Sequence, residues 1–194
     1  MSRLTWRPLA LLIAALAIAG CGSSQGGDYG GEHPDYGKAL AGSPAPLAAL
    51  HHQANDLLSG GQDAYEKRIA ALRGHPVVVN VWASWCGPCR FEFPHFQQAA
   101  ADYGKRVAFL GIDSEDSDDA ASTFLREEPV PYPSYKDPSG DVADTTDAFS
   151  LPATAFYDDE GELMYTKQGN YRDVTELRAD IERYALGGAN AESG

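Results

Sequence analysis

Basic residues are scarce in this chain of 194 residues: 15 Lys and Arg stand against 28 Asp and Glu, a formal charge of −13. So acidic a chain repels phosphate backbones and anionic lipid surfaces, which argues against nucleic-acid binding and against a polybasic membrane contact. Cysteine is scarcer still, with only Cys21, Cys86 and Cys89. That excludes a framework of several structural disulfides, so a domain of this size must rely on its core. Long hydrophobic runs are missing as well. The longest, Leu9 to Ala19, has 11 residues, too short for the ~20 that a membrane-crossing helix takes. No internal repeat is visible.

What is present at the front is a targeting pattern. Arg3 and Arg7 precede the Leu9–Ala19 run, which ends in Ile18-Ala19-Gly20-Cys21, the layout of a secretory signal. A small-residue cleavage site followed by Cys resembles the lipobox of bacterial lipoproteins. That resemblance implies that Cys21 is acylated and becomes the first mature residue; the alternative is an ordinary signal peptide with an incidental cysteine. Residues 1–20 are thus expected to be a lipoprotein signal peptide, and their removal moves the charge from −13 to −15, since they hold Arg3, Arg7 and no acid. Residues 21–43, rich in Gly, Ser and Pro, read as a lipidated flexible tether with a reach of roughly 25 Å. Membrane attachment would come from acyl chains, on the extracytoplasmic face of the bacterial membrane. One domain is expected over 44–187, followed by a disordered tail over 188–194.

Within that domain, Tyr65 to Leu72 has helical spacing and Gly74 is a stop signal. Val77 to Ala83 is a continuous apolar run, expected of a central strand buried on both faces. Pro88 to about Tyr103 reads as a helix ended by Gly104, with Pro94 expected to kink it. A second buried strand spans Val107 to Ile112, a helix runs from Asp118 or Asp119 through Glu127, and Val142 to Phe149 is a short helical piece. Ala153–Tyr157 and Leu163–Lys167, joined by Asp158-Asp159-Glu160-Gly161, predict a hairpin. An amphipathic helix over Asp173–Ala185 closes the domain. The order predicts an α/β fold with a central mixed sheet and helices on both faces.

The chemistry concentrates in Trp85-Cys86-Gly87-Pro88-Cys89, between a strand and a helix. Two thiols so spaced in that context read as a redox site. At a helix start the unpaired N–H groups and the macrodipole stabilise a thiolate, the reactive form of cysteine. Cys86 is the expected nucleophile and Cys89, one turn in, the resolving thiol. Gly87 permits the sharp turn, and Pro88 suits the first helical turn because its missing N–H has no partner there. A zinc half-site or an inert disulfide is the alternative; zinc needs two more ligands, and His75 and His95 have no ligand-like spacing to the pair. The stretch Asp113 to Asp119 lacks the Gly and terminal Glu of an EF-hand loop and reads as an acidic loop capping the next helix.

Val78-Val79-Asn80-Val81-Trp82-Ala83-Ser84-Trp85-Cys86-Gly87-Pro88-Cys89-Arg90, with Glu92 and Pro94, closely resembles the thioredoxin superfamily. Within it, the match is to the membrane-tethered TlpA/ResA-type thiol–disulfide oxidoreductases. A second match lies at Leu151-Pro152-Ala153-Thr154-Ala155-Phe156-Tyr157-Asp158 with Gly161, about sixty residues downstream. The resemblance spans roughly Pro44 to Leu186 and implies a thioredoxin-like fold. Pro152 matches the proline that these folds hold cis beside the disulfide, where Leu151 would offer a backbone edge to a substrate chain; a trans proline at a loop end is the alternative on the residues alone. Glu92, three residues after Cys89 and on the same helical face, matches an acidic residue near the dithiol. A half-buried carboxylate there, with raised pKa, could take the proton of Cys89; a solvent-facing Glu is the bland reading. Trp85 would shield the disulfide and contact a docking protein, whereas Trp82 is equally simple core. Leu50 to Gly74 departs from the family in being longer and more helical than its usual hairpin.

The expected function is reduction of protein disulfides by Cys86 and Cys89, because Gly87-Pro88 is the dipeptide of thioredoxin, a reductant. The redox-active disulfide itself stands in for any cofactor, and no metal is expected. Partners would be protein thiol or disulfide substrates and a membrane electron donor or acceptor, with the chain a monomer. A disulfide-forming oxidase of exported proteins and a non-redox lipoprotein binding module or holdase are the rival readings. A peroxidase is disfavoured, since no lone peroxidatic Cys with neighbouring Thr and Arg is apparent.

Overall fold

The computed structural model describes Met1 and residues 33–187. The expected signal peptide, Cys21 and the 188–194 tail lie outside the described residues.

Six strands form one sheet in the order β1-β4-β3-β2-β5-β6. They are β1 (Leu57–Leu58), β2 (Val77–Trp82), β3 (Ala108–Ser114), β4 (Ser134–Asp137), β5 (Ala153–Tyr157) and β6 (Leu163–Gln168). The first four are mutually parallel, and β5 and β6 run antiparallel. All six residues of β2 and all seven of β3 are buried, as mostly apolar strands covered on both faces should be, with Asn80, Asp113 and Ser114 as buried polar exceptions.

Side-chain alternation divides the core in two. Val78 and Trp82 face α4 (Gly87–Tyr103), α5 (Asp118–Glu127) and α7 (Val174–Asp180), where Phe93, Phe96, Phe124 and Leu177 cover them. Val77, Val79 and Val81 face α2 (Ala45–His51), α3 (Gly61–Ala71) and α6 (Asp141–Asp144), under Leu47, Leu50, Tyr65 and Val142. Each fully buried Val contributes roughly 1.5–3 kcal/mol over an exposed one.

The structure differs from the sequence reading in several places. Order begins before Pro44: α1 (Tyr36–Ala39), capped by Asp35, lies inside the span assigned to the tether. The Tyr36 hydroxyl donates to Pro129 O (3.2 Å), and Leu40 is buried. Gly104, expected only to end α4, also makes room, since a Cβ there would lie 2.7 Å from Leu40 Cδ2. Helix α4 holds Pro94 and runs to Tyr103, as expected. The closing helix is α-helical only to Asp180 and finishes as a π turn over Ile181–Ala185, with Leu186 N–H donating to Ile181 O (3.0 Å). Helix α5 opens at Asp118 and ends at Glu127 as expected, with Ser117 as its N-cap. Strand β4, between β3 and β1, was not anticipated.

Trp82 is core. Its Nε1 donates to Ser134 Oγ (3.2 Å), and its ring packs on Phe93 and Phe124. Gly111 permits this contact: a Cβ there would lie 2.1 Å from Ser134 Oγ and 2.9 Å from Trp82 Nε1. Gly111→Ala is therefore expected to destabilise the fold by about 1–3 kcal/mol, read as a lowered urea midpoint. An unchanged midpoint would contradict this packing.

Candidate active site

The site is built where β2 passes into α4. Beyond Trp82 the chain turns through Ala83, Ser84 and Trp85, and Cys86 becomes the N-cap of α4. Cys86 Sγ accepts from Cys89 N (3.2 Å), so the sulfur occupies the place of a capping oxygen at the positive end of the helix. Cys86 and Cys89 are joined as a disulfide, with Cα atoms 5.2 Å apart. Cys86 is 4% exposed and Cys89 0%, which leaves Cys86 as the sulfur within reach of a partner. Gly87 and Pro88 open the helix as anticipated.

The acidic stretch after β3 holds the turn in place. Asp116 Oδ2 accepts from Ser84 N (2.6 Å), and Glu115 O accepts from Trp85 Nε1 (3.0 Å). On the other side Arg90 Nη1 donates to Ser84 O (3.3 Å) while its guanidinium lies 4.6 Å over the Phe124 ring. Trp85 is 60% exposed beside the disulfide, consistent with a shield and contact surface rather than core. The Leu151–Pro152 peptide bond is cis, and Leu151 lines the same cleft as Cys86. Among the described backbone hydrogen bonds outside helices and strands, none involves Leu151.

Glu92 is fully buried rather than half-buried. It shares the inward stripe of α4 with Cys89 and Phe93, so the packing that seats the helix also takes its carboxyl out of water. Burial pushes its pKa from 4.5 up to about 8, against the pull of the Tyr171 N–H and the Lys167 ammonium. Oε2 accepts from Tyr171 N (2.9 Å), and Oε1 has no protein partner. Lys167 Nζ lies 4.6 Å over the Tyr171 ring, held by the carbonyls of Gly169 and Asn170 (3.1 Å each).

Three buried polar residues near the site escaped the sequence reading. Asp113 is part of β3, not of the loop, and pairs in register with Trp82. Burial first, then the neighbouring Asp116, raises its pKa from 3.8 to about 8. Alternation with Phe109 and Gly111 along β3 was the available signal that Asp113 points toward α4. Asn80 and Thr154 face one another between β2 and β5, both fully buried. Among the described residues no group of three His, Cys, Asp or Glu is arranged to hold a metal ion.

Comparison with known proteins agrees with this geometry. Residues 42–166 match the AhpC/TSA family. The chain belongs to that family. It is 31% identical over 148 residues to the thiol:disulfide interchange protein CycY of Rhizobium leguminosarum bv. viciae, covering 72% of this chain and 75% of CycY. It is 29% identical over 103 residues to the thiol-disulfide oxidoreductase ResA of Oceanobacillus iheyensis, covering 53% of this chain and 54% of ResA. The exposed lipoprotein thioredoxin Etrx1 of Streptococcus pneumoniae strain TIGR4 superposes with a TM-score of 0.53 at 25% identity, over 59% of this chain and 89% of Etrx1. The fold is thioredoxin-like, and the protein is a thiol–disulfide oxidoreductase.

Glu92 and Asp113 keep their protons to about pH 8 when folded but release them near 4.5 and 3.8 in the ordinary state. Between those limits the folded chain binds more protons than the unfolded one, so stability falls as pH rises from about 4 to about 8. The slope is at most about 1.4 kcal/mol per pH unit for each group. Urea unfolding across this range is expected to show that decline, and Glu92→Gln to flatten part of it. An identical slope in the variant would show that Glu92 does not hold its proton on folding.

Proposed function

We propose that this protein is a reductant of protein disulfides, lipid-anchored through Cys21 on the extracytoplasmic face of the cell membrane. The observation that carries the exchange chemistry is the disulfide at the α4 N-terminus, with one sulfur reachable, one sealed and a buried carboxyl one turn beyond. In the reduced protein the Cys86 thiolate attacks a substrate disulfide. A Cys86–substrate bond forms, the substrate S–S bond breaks, and one substrate sulfur leaves as a thiolate that takes up a proton. Cys89 then attacks Cys86 Sγ, closing the Cys86–Cys89 bond and releasing the second substrate thiol. The dithiol is oxidised by two electrons and the substrate disulfide reduced by two.

Glu92 has the character for the second step. Cys89 must lose its proton in an apolar interior, and a carboxyl with pKa about 8 is matched to a thiol there. Leu151, beside Pro152, would pair with the extended substrate chain, and Trp85 would cover the mixed disulfide. The redox-active disulfide is the only redox group required. A membrane electron donor would restore the dithiol, and the chain would act as a monomer. The anchor draws on the Ile18-Ala19-Gly20-Cys21 pattern, in keeping with the lipoprotein character of the pneumococcal relative. The oxidant reading is the rival for direction.

Cys89→Ser is expected to leave substrate proteins disulfide-bonded to Cys86, identifiable by mass spectrometry. Equilibration with a thiol buffer is expected to give a potential near that of thioredoxin, about −270 mV; a value well above about −200 mV would make the protein an oxidant instead. The rate of mixed-disulfide resolution should rise through pH 8 in the native protein and lose that inflection in Glu92→Gln. An unchanged profile would remove Glu92 from the proton transfer.

A further inference from the structure

Beside Cys86 the surface opens into a groove of about 460 Å³. One wall is the active-site turn, with Trp85, Gly87 and Pro88; the other is the segment from Ala143 to Leu151 that leads into Pro152. Of the fourteen residues that line it, only Glu115 and Asp144 are charged; both are acidic, and both are exposed. No Lys or Arg lines the groove.

Glu115 is held on the rim with some insistence. Its backbone is left-handed, φ 54°, a conformation unfavourable for a residue with a side chain. Its N–H donates to Asp137 O (2.9 Å), and its carbonyl takes the Trp85 indole N–H. Its Oε1 lies 4.0 Å from where a Cβ on Gly140, itself a lining residue, would be. Asp147, just before the lining residues Ala148 and Phe149, is also left-handed, φ 57°. Each wall presents one large exposed aromatic ring, Trp85 at 60% and Phe149 at 84%. Exposed aromatic rings on both walls, next to a reacting sulfur, suit contact with a partner chain.

We propose, building on the exchange reaction above, that this groove selects substrate segments carrying a Lys or Arg within a few residues of the reacting cysteine. The cationic head sits by Glu115 and Asp144, and the apolar stem or a neighbouring side chain lies against Trp85 and Phe149. Two carboxylates without a cation among the lining residues favour such a segment and repel an acidic one. The preference is electrostatic and near the surface, so added salt weakens it.

The test uses the full-length reduced protein and three disulfides: two synthetic peptides, each closed by one disulfide and differing only in Arg or Glu beside a cysteine, and uncharged 2-hydroxyethyl disulfide. At low salt the Arg peptide is expected to be reduced at least ~10-fold faster than the Glu peptide, with the gap narrowing as salt is added. Glu115→Gln/Asp144→Asn should close the gap, and Glu115→Lys/Asp144→Lys should reverse it. Asp159→Asn/Glu160→Gln makes the same change of charge beyond Tyr157, which pairs with the opposite end of β2 from the site, and should keep the gap. Equal rates for the two peptides, or a full preference in Glu115→Gln/Asp144→Asn, overturns the proposal while exchange chemistry stands if 2-hydroxyethyl disulfide is reduced. If none of the three is reduced, the exchange reaction itself fails and this proposal with it.

Discussion

The burial of one stripe of α4 against the sheet is the constraint on which the rest depends. Cys89, Glu92, Phe93, Phe96 and Ala100 all turn inward, spaced three and four residues apart as one helical face must be. Phe93 and Phe96 seat the helix on Trp82, Phe124 and Tyr171. Seating it fixes the first turn at the end of β2, which places Cys86 at the cap and seals Cys89. The hydrophobic contacts that stabilise the fold therefore also set the inequality between the two sulfurs.

The same burial has a cost, and the cost falls on groups that matter. Desolvation raises Glu92 and Asp113 by several pH units each, and one oxygen of each carboxyl has no protein partner. Asn80 and Thr154 add further uncompensated polarity to the α4 side of the sheet. On the opposite side, under α2, α3 and α6, the hydrophobic core is aliphatic and tyrosine, and the buried Asp137 there is satisfied by Ser114 Oγ and by the N–H groups of Val142 and Ala143. Polar strain is thus concentrated on the face that carries the dithiol, where groups of shifted acidity have chemical use.

Much of the fold was legible in the sequence. The double-sided burial of β2 follows from Val77-Val78-Val79, and the hairpin β5–β6 from its acidic glycine turn. Cys86-Gly87-Pro88-Cys89 marked the site, and spacing alone put Glu92 on the face of Cys89. Strand β4 was hidden because Pro133 and Pro138 bracket a four-residue polar segment too short for periodicity. The two-residue β1 carries no pattern at all. The depth of Glu92 was underestimated because a charged residue carries no mark of burial; the cover comes from Tyr171, 79 positions away. Asp113 looked like the start of an acidic loop because β3 extends two residues past its apolar run. The groove wall at Glu115 and Phe149 depends on tertiary meeting of distant segments, which no local pattern encodes.

The state of the Glu92 proton links helix seating and stability to the exchange chemistry proposed for the dithiol. A ¹³C NMR titration of the Glu92 carboxyl in the folded, disulfide-bonded protein reads it directly. A midpoint near 8 is expected, whereas one near the ordinary 4.5 would contradict the coupling of burial to proton transfer.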